Sequence, residues 1–192
     1  MANNFRAIGA TTFLAPIPAV MLSCRGTEPG FDRNNLITVA WAGVVNSAPP
    51  MISVSIRPSR HSYTQIIQSG VFCLNLISKP LCRAADFCGV KSGRDTDKIK
   101  DMKLTLLKGK EVKAPLIGES PVNIECRVEQ TLRLGTHDMY VARVVAVHAD
   151  RRYMDKKGKF WLDKADLMAY SHGSYYTLGE KIGTFGYSVK KS

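Results

Sequence analysis

The chain reads as a mainly β protein, an antiparallel barrel with helical excursions, and three observations predict this. Short segments rich in Val, Ile, Leu and Thr recur along it, several alternating apolar with polar residues. Turn residues punctuate them at short spacing. The helical segments are too few and too short to alternate regularly with the strands, as a doubly wound parallel sheet requires.

Taken in order, Ala19–Arg25 reads as the first strand after an entry marked by Pro16 and Pro18, and Leu36–Val45 as a second. Asn46–Pro50 is a turn, because Asn and Pro interrupt strands. Met51–Ile56 alternates, with Ile52, Val54 and Ile56 on one face and Ser53 and Ser55 on the other. Ser62–Gln68 reads as a helix opened by a Ser62/Gln65 capping box and stopped at Gly70. Val71–Ile77 is a strand. Lys79–Cys88 is a short helix with Pro80 in its first turn and Gly89 beyond its end. Gly89–Lys100 reads as a polar loop. Pro121–Leu134 alternates, with Val122, Ile124, Cys126 and Val128 inward, and pairs through a Gly135 turn with His137–Ala149. Tyr153–Trp161 suggests a hairpin turning at Lys157-Gly158, and Leu167–Ser192 shows little periodicity.

The 192 residues suffice for one domain spanning 1–192, with 45% hydrophobic and 22% charged residues giving an ordinary globular balance. There is no apolar run of ~18 residues, and no convincing signal peptide at the start. The five cysteines lack C-x-x-C spacing and suit reduced thiols in a cytoplasmic protein, without a metal site. Cys73 and Cys126 read as small core hydrophobes, while Cys82 and Cys88 are structural or redox-active. The net charge of +11 suits nucleic acid, an anionic cofactor or a basic surface. The basic residues are spread out, apart from short runs at Lys156-Lys157 and Lys190-Lys191, which argues against nucleic acid.

No G-x-G-x-x-G after a strand, Walker A loop, H-E-x-x-H or G-x-S-x-G occurs. What remains is an anion-binding pattern. Arg57 and Arg60 bracket Pro58 in a loop that runs into a helix N-terminus beside His61 and Ser62. Guanidinium forks match phosphate oxygens, and free N–H groups with the positive end of the helix dipole favour an anion there. A solvated basic loop with an ordinary cap would look the same. Thr38, Ala40 and Trp41 precede the small residues Ala42 and Gly43, so a flat ring can approach the backbone; taken alone, Trp41 reads first as core packing. Ser92 and Lys98 supply donors from a mobile loop, and His137 beside Gly135 either faces a ligand or caps a turn.

Together the segments Asn35–Trp41, Ala48–Arg57, Arg60–Ser62, Gly70–Asn75, Cys88-Gly89, Ser92-Gly93, Asp97-Lys98, Glu125-Cys126, Leu134–His137 and Leu178–Tyr187 resemble the flavin reductase-like, FMN-binding split-barrel family, near its flavoredoxin-like branch. The resemblance implies a six-stranded antiparallel Greek-key barrel and a homodimer binding FMN. It places Arg57, Arg60, His61 and Ser62 around the FMN phosphate with Ser92 and Lys98 nearby. Thr38, Val39, Ala40 and Trp41 would lie along the ribityl chain and ring edge, Ser55 and Ile56 would present backbone to the ring, and His137 would sit near it. It implies an oxidoreductase using NAD(P)H, or else an electron carrier served by a protein donor, with no membrane association. Members often carry a Gly-Asp-His turn and a Gly in the following strand. Here Gly135-Thr136-His137 and Ala142-Arg143 stand at those positions.

Overall fold

The computed structural model describes residues 4–189, so Lys190 and Lys191 lie outside the described part. In chain order the strands are β1 (Ile17–Pro18), β2 (Val20–Arg25), β3 (Asn34–Val39), β4 (Ala42–Ser47) and β5 (Pro50–Ile56). Helix α1 (His61–Ser69) leads into β6 (Val71–Leu76), and a 3₁₀ turn at Lys79–Leu81 leads into α2 (Cys82–Val90). The one-turn α3 (Lys98–Asp101), the dipeptide strands β7 (Leu106–Leu107) and β8 (Leu116–Ile117), and the long pair β9 (Val122–Arg133) and β10 (Asp138–Ala149) follow. Two short strands, β11 (Met168–Ser171) and β12 (Ser174–Thr177), come last.

Seven strands form one sheet in the order β3-β2-β6-β9-β10-β5-β4, every pairing antiparallel. Its two edges, β3 and β4, are consecutive in the chain and are separated only by Ala40 and Trp41. Three Cα–Cα steps reach at most about 11 Å. The edges of a flat seven-stranded sheet would stand about 29 Å apart at the usual strand spacing. The sheet must therefore roll up, and the β4–β5 ladder runs right to the bend, where the Ser55 N–H donates to the Trp41 carbonyl at 2.9 Å. The segment read as one strand over Leu36–Val45 is thus two, on opposite edges of the sheet, and the expected six strands become seven. Physically, the chain bends at Ala40-Trp41 to step from one edge to the other.

The barrel interior is filled by Leu22, Val54, Ile56, Phe72, Cys126 and Tyr140, with Ile66 of α1 among them. A second cluster lies between the sheet and α2, where Met21, Leu36, Ile77, Ala85 and Cys88 are buried together. Cys73 and Cys126 are both fully buried, as small core residues should be.

Four local readings are corrected. Helix α1 begins after Arg60, and no side chain caps it. Ser62 Oγ instead accepts from Asn35 Nδ2 at 2.8 Å, and Gln65 Nε2 donates to the Phe31 and Arg33 carbonyls at 2.8 Å each, so no capping box forms. Gly89 lies inside α2, where a Cβ would meet the Thr38 side chain at 3.3 Å; it permits close packing on β3 and does not stop the helix. Lys98 is 4% exposed, inside a helix turn and not on a mobile loop. The tail contains the β11–β12 hairpin, whose two-residue turn has positive φ at His172 (48°) and Gly173 (80°).

The alternation of β9 also hides a second buried face. Asn123 and Glu125, on the side opposite Val122, Ile124 and Cys126, are 6% and 0% exposed. The Glu125 carboxylate accepts from the backbone N–H groups of Lys110, Glu111 and Val112 at 2.8, 2.8 and 2.7 Å, and it pairs with His148 Nε2. Burial alone would raise its pKa, but these hydrogen bonds outweigh that and hold it below the ordinary carboxylate value.

Candidate functional site

Two adjoining cavities open where the barrel closes. The larger, about 400 Å³, is bounded by Thr38, Val39, Ala40 and Trp41 on the β3–β4 bend and by Ser55, Ile56 and Arg57 at the end of β5. His137 and the tail hairpin residues Tyr170, Gly173 and Tyr175 complete its wall. The smaller, about 220 Å³, sits at the start of α1 between Arg60, His61, Ser62, Cys88, Ser92, Arg94 and Lys98. Ile37, Arg60 and Gly89 border both, so the two form one groove with a wide end and a narrow, cationic end.

The wide end is flat-walled. Trp41 is 46% exposed and so is not a core residue; its ring packs on that of His137 at 4.3 Å between centroids. Burial, followed by the charges of Arg57 and Arg60, lowers the His137 pKa and favours the neutral imidazole. Tyr175 donates to Asp86 of α2 at 3.3 Å, tying the tail hairpin over this end. The hairpin is further held by pairing of β11 with β1.

The narrow end is built for an anion. No side chain caps α1; the Tyr63 N–H turns back to the Arg60 carbonyl at 3.0 Å, which leaves the first N–H groups, of His61 and Ser62, and the positive dipole end facing the cavity. His61 is 7% exposed, stacks on Phe31 at 5.0 Å, and has neither ring nitrogen hydrogen-bonded. Burial, then the charges of Arg94, Arg33 and Lys98, lowers its pKa. A buried imidazole without partners costs stability unless something supplies them. Lys98 Nζ donates to the carbonyls of Leu36 and of Cys88, the latter at 3.0 Å, so its cation is held beneath the cavity. Burial is the main cause of its lowered pKa. Cys88 is fully buried, and its thiol is pushed up to about 11, mainly by burial, which disfavours a reactive thiolate.

The groove gathers every residue singled out from the sequence, with one redistribution. Arg57 lies along the wide end only, whereas Arg60 borders both ends. Residues that sequence reasoning missed are Asn35, Arg94, Gly89 and the hairpin tyrosines. The signal for the hairpin was present: two aromatic-bearing runs flank His172-Gly173, a pair able to make a tight turn. The largest cavity, about 1230 Å³, contains none of the predicted residues; its one imidazole, His148, is already engaged by Glu125. The smaller groove is favoured because unpartnered polar groups and cations converge there. Among the described residues no cluster of potential metal ligands occurs, and no helix is long and apolar enough to cross a membrane.

Residues 15–179 match the model of the family described as flavin reductase like domain. The fold is similar to that of flavoredoxin from Desulfovibrio vulgaris (Miyazaki F), with a TM-score of 0.87, 28% identity, and coverage of 97% of this chain and 100% of that one. Flavoredoxin from Methanosarcina acetivorans gives a TM-score of 0.86 at 28% identity and the same coverage. In sequence the chain is 30% identical over 106 residues to FMN reductase (NADH) RutF of Bradyrhizobium diazoefficiens, spanning 54% of this chain and about half (55%) of that relative.

Proposed function

We propose, on the premise that this chain belongs to the flavin reductase-like domain family, that it is an FMN-binding oxidoreductase reduced by NAD(P)H. The observation that carries the FMN reading is the narrow end of the groove. A buried imidazole with two unpartnered nitrogens, an uncapped helix start, and the cations Arg60, Arg94 and Lys98 meet in one small cavity. A phosphate monoester there would accept from the imidazole N–H and the helix N–H groups and would be neutralised by the surrounding cations.

With the phosphate there, Thr38 and Val39 would hold the ribityl chain, and Trp41, the Ser55-Ile56 backbone and His137 would hold the isoalloxazine in the wide end. Bound FMN supplies the hydride and electron chemistry. The chain's own residues bind and orient it. Arg57 and Arg60 place positive charge beside the groove, which favours an anionic reduced ring and attracts the phosphates of a nicotinamide nucleotide. His137, kept neutral, has one N–H to offer a ring carbonyl or an incoming substrate.

A second copy of the chain is the proposed cover for the open side. Val44 and Val45 beyond Trp41 are 80% and 50% exposed, and Leu134 before His137 is 61% exposed. A second reading, an electron carrier reduced by a protein donor, is favoured by the flavoredoxin likeness and by the missing Gly-Asp-His turn.

The absorption spectrum of purified protein reconstituted with FMN tests both. Flavin bands that bleach within seconds of anaerobic NADH or NADPH addition are expected. Bleaching only by dithionite or a reduced protein donor would select the carrier. Failure to retain FMN would refute the reading.

His61→Phe separates binding from folding. The phenyl ring keeps the stack on Phe31 and removes two unpartnered polar atoms, each costing roughly 1–3 kcal/mol. The flavin-free variant should therefore unfold at a urea concentration no lower than wild type, while its FMN affinity drops at least tenfold or so. A variant that binds FMN as well as wild type would remove the imidazole from the phosphate site.

A further inference from the structure

The narrow end of the groove has a closed far wall. Asn35 stands on it, 5% exposed, its Nδ2 donating to Ser62 Oγ at 2.8 Å. Gly93 lies flat against the Asn35 amide, so close that a Cβ on Gly93 would overlap Oδ1. The loop cannot easily swing away. Arg33 Nη2 donates to the carbonyls of Gly93 at 2.7 Å and Arg94 at 3.3 Å, and the Arg94 N–H donates to Ser92 Oγ at 3.2 Å.

Behind this wall is another cavity of about 380 Å³, lined by Arg33, Asn34, Thr96, Lys100 and Lys103. It shares Asn35, Gly93 and Lys98 with the narrow end, so the two spaces are separated by little more than the Asn35–Gly93 contact. Four cations, Arg33, Lys98, Lys100 and Lys103, outnumber the single carboxylate of Asp97 in its lining, a balance favourable to a second phosphate. The net charge would therefore draw a dinucleotide onward, and the wall is what bars its path.

We propose that Arg33, Asn35 and Gly93 form a selectivity clasp that ends the groove after one phosphate, so that the site takes a flavin mononucleotide and rejects the dinucleotide. The inference rests on the flavin reading above and adds the device that sets its ligand class. Discrimination here comes from a steric stop that bars entry to an otherwise attractive space. Arg33 acts as a positioning residue: it touches the loop and not the ligand. Asn35 is the stop itself.

The test is titration of flavin-free protein with riboflavin, FMN and FAD, followed by fluorescence quenching, for wild type, Arg33→Ala and Asn35→Ala. Wild type should bind FAD at least about tenfold more weakly than FMN, and the variants should narrow that ratio to about threefold or less, chiefly through tighter FAD binding. A structural defect would weaken all three flavins together and leave the ratio unchanged, and that result overturns the proposal. So does wild type binding FAD within twofold of FMN, a measurement that needs no variant. These failures leave the FMN reading intact. Riboflavin binding as tightly as FMN would refute the phosphate site itself and the clasp with it.

Discussion

Replacing Arg60 by alanine is expected to weaken FMN binding by roughly 10- to 150-fold, with riboflavin affinity changed by less than about threefold, because a hydrogen bond to a charged group is worth about 1.5–3 kcal/mol. Arg60 is the guanidinium common to both ends of the groove, and it is the residue from which α1 starts. Its loss would take a planar donor pair away from a phosphate held in the narrow end without removing a core contact, since the side chain is exposed. Arg57 provides the contrast. It borders only the wide end, so Arg57→Ala should lower FMN and riboflavin affinity in similar proportion. Isothermal titration of flavin-free protein with both ligands checks the pair. If Arg60→Ala binds FMN with unchanged affinity, the narrow end does not hold the phosphate.

Glu125→Ala should be among the most destabilising single changes outside the apolar core, costing about 2–4 kcal/mol in urea unfolding. The carboxylate gathers the N–H groups of Lys110, Glu111 and Val112 and the His148 ring. Its removal leaves three backbone donors without that acceptor; Lys110 and Glu111 are exposed, but Val112 is buried, and a buried donor without a partner costs about 1–3 kcal/mol. Val112 and Ala114 of that loop pack on Val71 and Cys73, so the apolar contact is loosened too. The same group predicts acid sensitivity. Its folded pKa is lowered below the ordinary 4.5, so its contribution is present in full above that value. It is lost as pH falls from there through the lowered folded value. Glu125→Gln, which carries no titrating proton, should lose less stability than wild type between pH 5 and the acid limit. Equal pH profiles for the two would show that the carboxylate charge is not what anchors the loop.

Legibility in the sequence followed the range of the interactions. β5 announced itself because its apolar residues alternate and only one side of it meets the barrel core. β9 alternates as well, yet Glu125 on its polar side is buried. The loop that covers it comes from residues 110–112, and no periodicity reports a cover supplied from elsewhere. The capping-box pattern Ser62/Gln65 was local and misleading. Both side chains found stronger partners in Asn35 and the 31–33 segment, brought near by the fold. Gly89 likewise read as a helix stop, and the need for close approach to Thr38 explains it instead.

By itself the sequence determined the strand-rich class, the flavin reductase-like family, and a set of residues that the fold brings to one groove. Those depend on residue type, local period and motif order, all written along the chain. Tertiary structure alone decided how the site is divided. The two-residue step at Ala40-Trp41 rolls the sheet and sets the β3–β4 bend against His137. It also made Arg60 rather than Arg57 the residue common to both ends. The Asn35–Gly93 wall joins residues nearly sixty positions apart, and only packing, where space is filled once and by whichever atoms arrive, sets a stop at the end of the groove.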